Sequence, residues 1–323
     1  MTGWAARDYE PGDEERILDL FELTYGKRRS IEHWRWMFSE CPFGRGIMKL
    51  LFDGNVLVGH YAVVPMAVEI DGVQSNAALS VDTMTHVKHR GRGIFAFLAS
   101  ETYKECQKRG LALVYGFPNE NSHKGFVNRL RWHSFGHMKN MRKKLPIDAK
   151  SIPNSPHDVH EVSFFGKNID ELWRSISGHF PVIVPRNANY LNWRFCQKPS
   201  VDYRKLVMND ETGVTIGYAV LKSYEGKEHV VGHIVDLMCV DARVLPDILV
   251  SCIRCFITQG INEVSLWVPM ISPARKILER WGFVEEAMQT YFGVKLLSDD
   301  MSLSEKVVSF ENWYLSMGDS DVF

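Results

Sequence analysis

Four cationic or titratable side chains immediately precede a glycine-rich turn in the stretch THVKHRGRGIFAF, residues 85–97. They belong to His86, Lys88, His89 and Arg90. The stretch then continues with Gly-Arg-Gly and an apolar run. Positive charge beside glycines, which allow a backbone to approach a ligand closely, is typical of a site that binds an anion. The residue types therefore predict local anion binding.

The position of this stretch indicates which anion it could hold. An extended segment that ends near Thr85 turns here into a helical pattern that begins near Gly91. Backbone N–H groups in the first turn of a helix have no helical partner, and together with the positive end of the helix dipole they bind phosphate. Gly91 and Gly93 permit dihedrals that a side chain would forbid, while Arg90 and Arg92 add charge. A diphosphate would fit such a cradle.

The surrounding pattern predicts the elements that position this cradle. Apolar residues at helical spacing predict one helix over GDEERILDLFELTYG and another over GIFAFLASETYKECQKRG, with Gly110 as its stop. Between them, residues 47–87 predict a meander of strands with turns at Asp53-Gly54 and Asp71-Gly72. The loop thus lies between the last strand of the meander and a long helix.

Much of this organisation occurs twice in the chain. WMFSECP at residues 36–42 and WRFCQKP at residues 193–199 share Trp, Phe and Pro at a displacement of 157 residues. SVDTM at 80–84 and IVDLM at 234–238 continue the repeat at a displacement of 154. The second copy reads MCVDARVLPD where the first has its glycine loop. We therefore expect two similar halves, of which only the first carries the phosphate cradle.

Length and charge restrict the partners. A chain of 323 residues suits two domains of about 150 residues each. Hydrophobic residues make up 45% of the chain and the net charge is −1, so we expect no general attraction to nucleic acid or to acidic membranes. No apolar run approaches the length of a membrane span.

The six cysteines favour a reducing compartment, and with no signal-like segment at the start of the sequence we expect a cytoplasmic protein. Cys252 and Cys255 form a CxxC pair inside an apolar-periodic run. No second pair or histidine cluster completes a metal site, so we interpret the pair as part of a packed helix face and predict no metal.

The loop Arg90–Phe95, RGRGIF, resembles the loop with which GNAT acyltransferases bind the pyrophosphate of coenzyme A. YGFPNENSHKGFVNRLRW, residues 115–132, is similar to the strand and helix that follow in that family. The resemblance implies an α/β (α+β) fold of two tandem GNAT-like domains, each a mixed, mostly antiparallel twisted sheet flanked by helices. It places a coenzyme A domain at residues 1–145, a linker at 146–160 and a second domain at 161–323, which contributes to the acceptor site.

The same resemblance implies which residues bind acyl-CoA, the expected donor substrate. They are Met84, Thr85, His86, Val87, Arg90, Gly91, Arg92, Gly93, Ile94, Asn119, Asn121, Ser122 and Phe126. The sequence departs from the family in two places. Phe95 stands where the loop usually has Gly or Ala, and the tyrosine that many members use as general acid is replaced by Phe126 and Val127.

Two residues are candidates for proton transfer. Asp82 lies on the predicted central strand, but Asp236 occupies the equivalent place in the half without the loop, which equally suggests a shared structural role. His86 lies at the end of that strand, where it could accept a proton through water or merely flank the phosphates.

The general pattern of the chain is similar to bacterial N-acyltransferases that act on nucleotide-linked amino sugars. We therefore expect transfer of an acyl group from the thioester to a sugar amine by direct attack. Two alternatives remain: an acetyltransferase of another small amine, an aminoglycoside or a lysine, and a non-catalytic protein that binds acyl-CoA. Aminoacyl transfer from transfer RNA is disfavoured because relatives of that kind have a degraded loop and a basic surface. The sequence does not indicate an oligomeric state.

Overall fold

The computed structural model describes residues 5–145, 155–226, 230–268, 273–298 and 300–323. The amino-terminal half contains β1 (Ala6–Asp8), α1 (Glu14–Tyr25), α2 (Ile31–Phe38), β2 (Ile47–Asp53), β3 (Val56–Ile70), β4 (Val73–Thr85), α3 (Ile94–Lys108), β5 (Leu113–Gly116), α4 (Glu120–Leu130) and β6 (His133–Lys144). The carboxy-terminal half contains β7 (Asp158–Glu161), α5 (Lys167–Ile176), β8 (Val182–Ile183), α6 (Ala188–Phe195), β9 (Arg204–Asn209), β10 (Thr215–Glu225), β11 (Val230–Cys239), α7 (Leu245–Thr258), β12 (Glu263–Trp267), α8 (Pro273–Arg280), β13 (Val284–Leu296), α9 (Met301–Val307) and β14 (Trp313–Tyr314).

The predicted meander and its helices are confirmed. The turns between β2 and β3 and between β3 and β4 fall at the two Asp-Gly pairs, where Gly54 and Gly72 have φ of +59° and +78°. A left-handed backbone of this kind is what a tight hairpin requires. Helix α3 ends at Lys108, and Gly110 follows with φ +74°.

The strands of both halves form one mixed, mostly antiparallel sheet, with 14 strands in the described part of the chain. Their order is β1-β2-β3-β4-β5-β13-β6-β12-β11-β10-β9-β7, with β8 and β14 attached at the side of β3. Each strand in this order has a counterpart in the other half. The two counterparts lie at equal positions from the two ends of the order. The predicted fold class of two similar halves is therefore confirmed, with a pseudo-twofold axis between β13 and β6.

The two halves exchange their last long strands. Strand β13 pairs with both β5 and β6, and β6 pairs in turn with β12. The predicted segments 1–145 and 161–323 therefore do not close separate sheets. Of the predicted linker 146–160, residues 146–154 lie outside the described residues, while residues 158–160 already belong to β7, which pairs with β9.

A close approach of α3 to the sheet fixes the start of that helix. A Cβ atom built on Gly59 of β3 would lie 2.5 Å from Cγ2 of Ile94 and 2.8 Å from Cδ1 of Leu98. Only a glycine allows these side chains to rest directly on the strand. The first turn of α3, where the predicted cradle lies, is thereby held against the central strands.

Helix α7 contains the CxxC pair. Cys252 is fully buried in the core beneath this helix, and Cys255 is partly buried beside it. Burial raises the pKa of both thiols, so both stay protonated at neutral pH. The pair thus contributes to helix packing. In the described part of the chain, no helix combines the length and the apolar character needed to cross a membrane.

The repeated tryptophans form the contact between the halves. The rings of Trp36 and Trp193 stack with centroids 4.9 Å apart and an angle of 17° between their planes. Each indole N–H donates to the backbone carbonyl of the other residue, at 2.7 Å from Trp36 and 3.1 Å from Trp193. Such reciprocal contacts are what a twofold relation produces.

We expect Trp193→Ala to lower the free energy of unfolding by about 3–5 kcal/mol, because it leaves a cavity and removes the indole N–H that donates to the backbone carbonyl of Trp36. Trp193→Phe keeps an aromatic ring and removes the N–H donor, so it should cost about 1–3 kcal/mol. Urea unfolding of both variants measures the difference. Equal stability of wild type and Trp193→Ala would contradict the role given to the stack.

Candidate active site

The predicted phosphate cradle lies at the first turn of α3. Gly91 and Gly93 have φ of +78° and +86°, and a Cβ atom built on either one meets no heavy atom within 4 Å. Gly93 is the N-cap of α3, and no side chain caps the helix there. The first amides of α3 thus face an open space into which a ligand can come close to the backbone.

A cleft of about 610 Å³ lies in front of this turn, and we call it the loop cleft. It carries the cationic side chains of Arg90 and Arg129 together with His89. Predicted coenzyme A residues that line it are Thr85, Arg90, Gly91, Gly93, Ile94, Asn119, Asn121 and Ser122. Arg129 was not predicted, because it lies near the end of α4, far from the glycine loop in sequence.

Phe95, which departs from the family loop, is accommodated by a glycine. Its ring packs against Phe126 with centroids 5.2 Å apart. A Cβ atom built on Gly125 would lie 3.1 Å from Cε1 of Phe95. The bulky ring therefore turns toward α4, and the backbone at the start of α3 stays accessible.

A second cleft of about 280 Å³ opens where β4 and β5 separate, and we call it the strand cleft. The two strands pair in parallel from Ala77 to Ser80 of β4, after which β4 continues alone to Thr85 on that side. The strand cleft includes the predicted residue Phe126. It shares four lining residues with the loop cleft: Tyr25, Thr83, Asn119 and Ser122. The two clefts are therefore neighbouring parts of one groove.

Four predicted site residues do not line either cleft. Met84 is 2% exposed and belongs to the core, because its side chain points to the opposite face of β4. Val87 and Arg92 are exposed outside the clefts. His86 begins a short 3₁₀ turn, Val87–His89, and its Nδ1 accepts the backbone N–H of Lys88 at 3.2 Å. The side chain of His86 thus caps this turn, and its proposed part in proton transfer stays a prediction.

Asp82 lines the strand cleft, but its carboxylate is paired with the guanidinium of Arg29. The residue is 6% exposed and has φ +48°, at a bulge where β4 loses register with β3. Nδ1–H of His60 donates to the Asp82 carbonyl at 2.7 Å. These contacts hold the bend of β4, so the geometry favours a structural role for Asp82.

The second half repeats this arrangement. Asp236 lies at the corresponding bulge of β11 and pairs with Arg186, which is displaced from Arg29 by the same 157 residues as the tryptophans. Each arginine immediately precedes the N-cap of its helix, Ser30 of α2 or Asn187 of α6. The shared structural role that the repeat suggested for the two aspartates is thus present in both halves. The displacement of 157 could have identified both arginines from the sequence.

The groove of the second half is filled. Strands β11 and β12 pair only from Gly232 to Ile234 of β11 before they separate. Tyr314 of β14 enters this gap, and its hydroxyl donates to the carbonyl of Leu237, the counterpart of Thr83. The remaining cavity measures about 30 Å³. A side chain of the protein itself therefore takes the place that is open in the first half.

The carboxy-terminal segment also reaches the first half. Arg186 donates to Asp319 at 2.7 Å, and Arg194 donates to three backbone carbonyls, those of Gly318, Ser320 and Phe323, at 2.9, 2.9 and 2.6 Å. Held in this way, the segment places Asp321 and Val322 in the lining of the strand cleft. Sequence reasoning missed both residues because the segment has no counterpart in the first half.

Tyr25, at the end of α1, stands between the two clefts. Burial raises the pKa of its phenol, and the nearby carboxylates of Asp82 and Asp321 raise it further. The hydroxyl therefore keeps its proton at neutral pH.

Residues 5–135 match the family model of the acetyltransferase (GNAT) domain. The matched segment contains the glycine loop, both separating strands and almost all of the groove. The matched segment is less than half of the chain; together with the architecture, which is a GNAT fold, it supports an N-acyltransferase.

Solved structures with the same fold are distant in sequence. A protein of Enterococcus faecalis V583, described as "Probable N-Acyltransferase", has a TM-score of 0.72 at 13% identity, over 92% of this chain and 73% of its own. N-myristoyltransferase of Saccharomyces cerevisiae with bound myristoyl-CoA has a TM-score of 0.62 at 11% identity, over 91% and 82%. A tandem GNAT protein from the clavulanic acid biosynthesis pathway has 0.60 at 11%, over 92% and 99%. No curated protein sequence matches the chain.

We expect Gly93→Glu to weaken coenzyme A binding at least about tenfold, which corresponds to ~1.4 kcal/mol. The new carboxylate would repel the diphosphate, and the side chain would occupy the open space beside the helix start. Gly213→Glu is the matched control, since Gly213 has φ +84° and equally open surroundings far from the groove. Calorimetric titration with coenzyme A measures both. Equal weakening by the two substitutions would indicate backbone strain and not a phosphate site.

Proposed function

We propose that this N-acyltransferase uses acyl-CoA as donor and the amine of a nucleotide-linked amino sugar as acceptor. The observation that carries the proposal is the meeting of two unlike clefts at Thr83, Asn119 and Ser122. One cleft has a helix start and cations that suit a diphosphate, and the other has the aromatic and charged side chains that an acceptor needs. A thioester that lies along the groove would present its carbonyl at their junction.

The donor side of the proposal follows from the backbone. The diphosphate would lie against the amides after Gly91 and Gly93, beside Arg90. The amide-containing arm of the donor would continue along the unpaired side of β4, as an added strand does at an open sheet edge. Because Tyr314 fills the corresponding gap in the second half, we assign donor binding to the first half alone.

The second half would serve the acceptor. Asp321 and Val322 supply part of the lining of the strand cleft, together with Lys27 and Phe117 from the first half. Aromatic rings can stack on a nucleobase, and a lysine can neutralise a phosphate. In the described part of the chain no ion pair engages Lys27, whereas Arg29 beside it is paired with Asp82. The free lysine supports an anionic acceptor.

Placement of the two reactants would supply much of the rate enhancement. An amine must be neutral to attack the thioester carbonyl. When the protein holds the amine beside the carbonyl carbon, the reaction rate approaches that of a reaction within one molecule. A backbone N–H on the unpaired side of β4 would polarise the carbonyl oxygen as negative charge develops there.

The cysteines agree with an intracellular setting for this reaction. All six are free thiols, as expected for a chain in a reducing compartment. We therefore retain the cytoplasm as the proposed location.

The test is an assay of the purified protein with acetyl-CoA and longer acyl-CoAs against nucleotide-linked amino sugars, with thiol release as the signal. We expect turnover with at least one of these sugars. Turnover only with aminoglycosides or lysine peptides would favour the acetyltransferase alternative. Tight coenzyme A binding without turnover of any amine would favour a non-catalytic acyl-CoA-binding protein.

We expect Lys27→Glu to raise the KM for a nucleotide-linked acceptor about fivefold, or ~1 kcal/mol, because an exposed charge contact is lost and replaced by repulsion. The affinity for coenzyme A should not change, since Lys27 lies outside the loop cleft. Lys167→Glu, at an exposed lysine of the second half, is the matched control. An unchanged KM with the anionic acceptor would contradict the assignment of its phosphates to Lys27.

A further inference from the structure

Two carboxylates line the strand cleft, and they differ in their partners. Arg29 engages the carboxylate of Asp82. For Asp321, the backbone N–H of the same residue lies near the carboxylate, and no other side chain in the described part of the chain forms a hydrogen bond or ion pair with it. Asp321 is therefore the carboxylate of the groove that remains available to a bound molecule.

Hydrogen bonds to residues before and after Asp321 in the sequence fix its position. Before it, Arg194 binds the carbonyls of Gly318 and Ser320. After it, Arg194 and Lys198 both donate to the carbonyl of Phe323 at 2.6 Å. The hydrogen bonds from the charged Arg194 contribute about 1.5–3 kcal/mol each. Because these hydrogen bonds already order the segment, its side chains can bind a substrate without a further loss of chain entropy.

The surroundings of Asp321 adjust its proton affinity. Burial raises the pKa of its carboxyl group, and the nearby Asp82 carboxylate raises it further, while the positive charge of Arg29 acts in the opposite direction. Burial lowers the pKa of Lys198 to about 5, so Lys198 adds a positive charge only at acidic pH. The charged or titratable groups around it come from α1, from the loop before α2, from β4 and from the loop after α6: Tyr25, Lys27, Arg29, Asp82 and Lys198. A carboxylate with a raised pKa is a stronger base than an ordinary aspartate.

We propose that Asp321 is the general base that takes a proton from the acceptor amine. The inference rests on the proposed function, whose acceptor site it occupies. As the nitrogen lone pair forms the C–N bond, Asp321 accepts an N–H proton. The C–S bond then breaks with its electron pair on the sulfur, and the thiolate takes up that proton. The amide and coenzyme A are the products, and no further reactant is needed.

The test compares Asp321→Asn, Asp321→Glu and the control Glu311→Gln, with acetyl-CoA and the best nucleotide-linked amino sugar as substrates. Asp321→Asn should lower kcat by about 100-fold or more, with little change in the KM for acetyl-CoA. Wild-type activity should fall at low pH as Asp321 becomes protonated, and this acidic limb should disappear in Asp321→Asn. Asp321→Glu should restore part of kcat, and Glu311→Gln, at an exposed carboxylate that lines neither cleft, should behave as wild type.

The acceptor provides a further readout that a merely structural residue would not affect. The nitrogen of hydroxylamine is less basic than that of a sugar amine, so its N–H proton is lost more readily to water once the C–N bond forms, and the defect of Asp321→Asn should be smaller with it than with the sugar amine. An equal defect with both acceptors, or a kcat within about threefold of wild type, would overturn the assignment of Asp321. Absence of wild-type turnover with every amine would instead overturn the proposed function and this inference together. Coenzyme A affinity and the melting temperature of each variant show whether the fold is intact.

Discussion

The exchange of β6 and β13 is the constraint on which the groove depends. Strand β13 completes the sheet next to β5, and its Tyr291 N–H donates to the carbonyl of Pro118 at 2.8 Å, while Thr290 forms a bridge with Asn119. These contacts hold the start of α4 on the far side of the strand cleft. The separation of β4 from β5 is thus fixed by a strand of the other half, and the groove belongs to both halves even though its glycine loop belongs to one.

The same scaffold is used twice and has a different role each time. In both halves an arginine before a helix N-cap pairs with an aspartate at a strand bulge, as Arg29 does with Asp82 and Arg186 with Asp236. In the first half the bend opens onto a cleft, whereas in the second half Tyr314 fills it. The buried pair of Arg186 additionally engages Asp319 and so holds the carboxy-terminal segment. The ion pair of Arg186 with Asp236 in the second half therefore also anchors the segment that lines the proposed acceptor side of the groove.

Local pattern and repetition were sufficient to predict much of this architecture. The Asp-Gly turns, the glycine loop before α3 and the equivalence of Asp82 with Asp236 could all be derived from short-range spacing or from comparison of the halves. The exchange of β13 could not, because pairing between strands far apart in sequence leaves no local signal. The turn capped by His86 could not be predicted, because a histidine that caps a turn and one that faces a substrate have the same sequence context. Asp321 and Tyr314 escaped because they have no counterpart in the first half.

The pairing of β13 with β5 also determines when the chain can fold. Residue 116 meets residue 293 in that pair, so its partner is made only after most of the protein has left the ribosome. Until then the strands on either side of the gap present bare edges, which other chains can join. The amino-terminal module, although it carries the whole glycine loop, thus cannot complete its sheet until β13 has been made, and its exposed strand edges favour association with other chains during that interval.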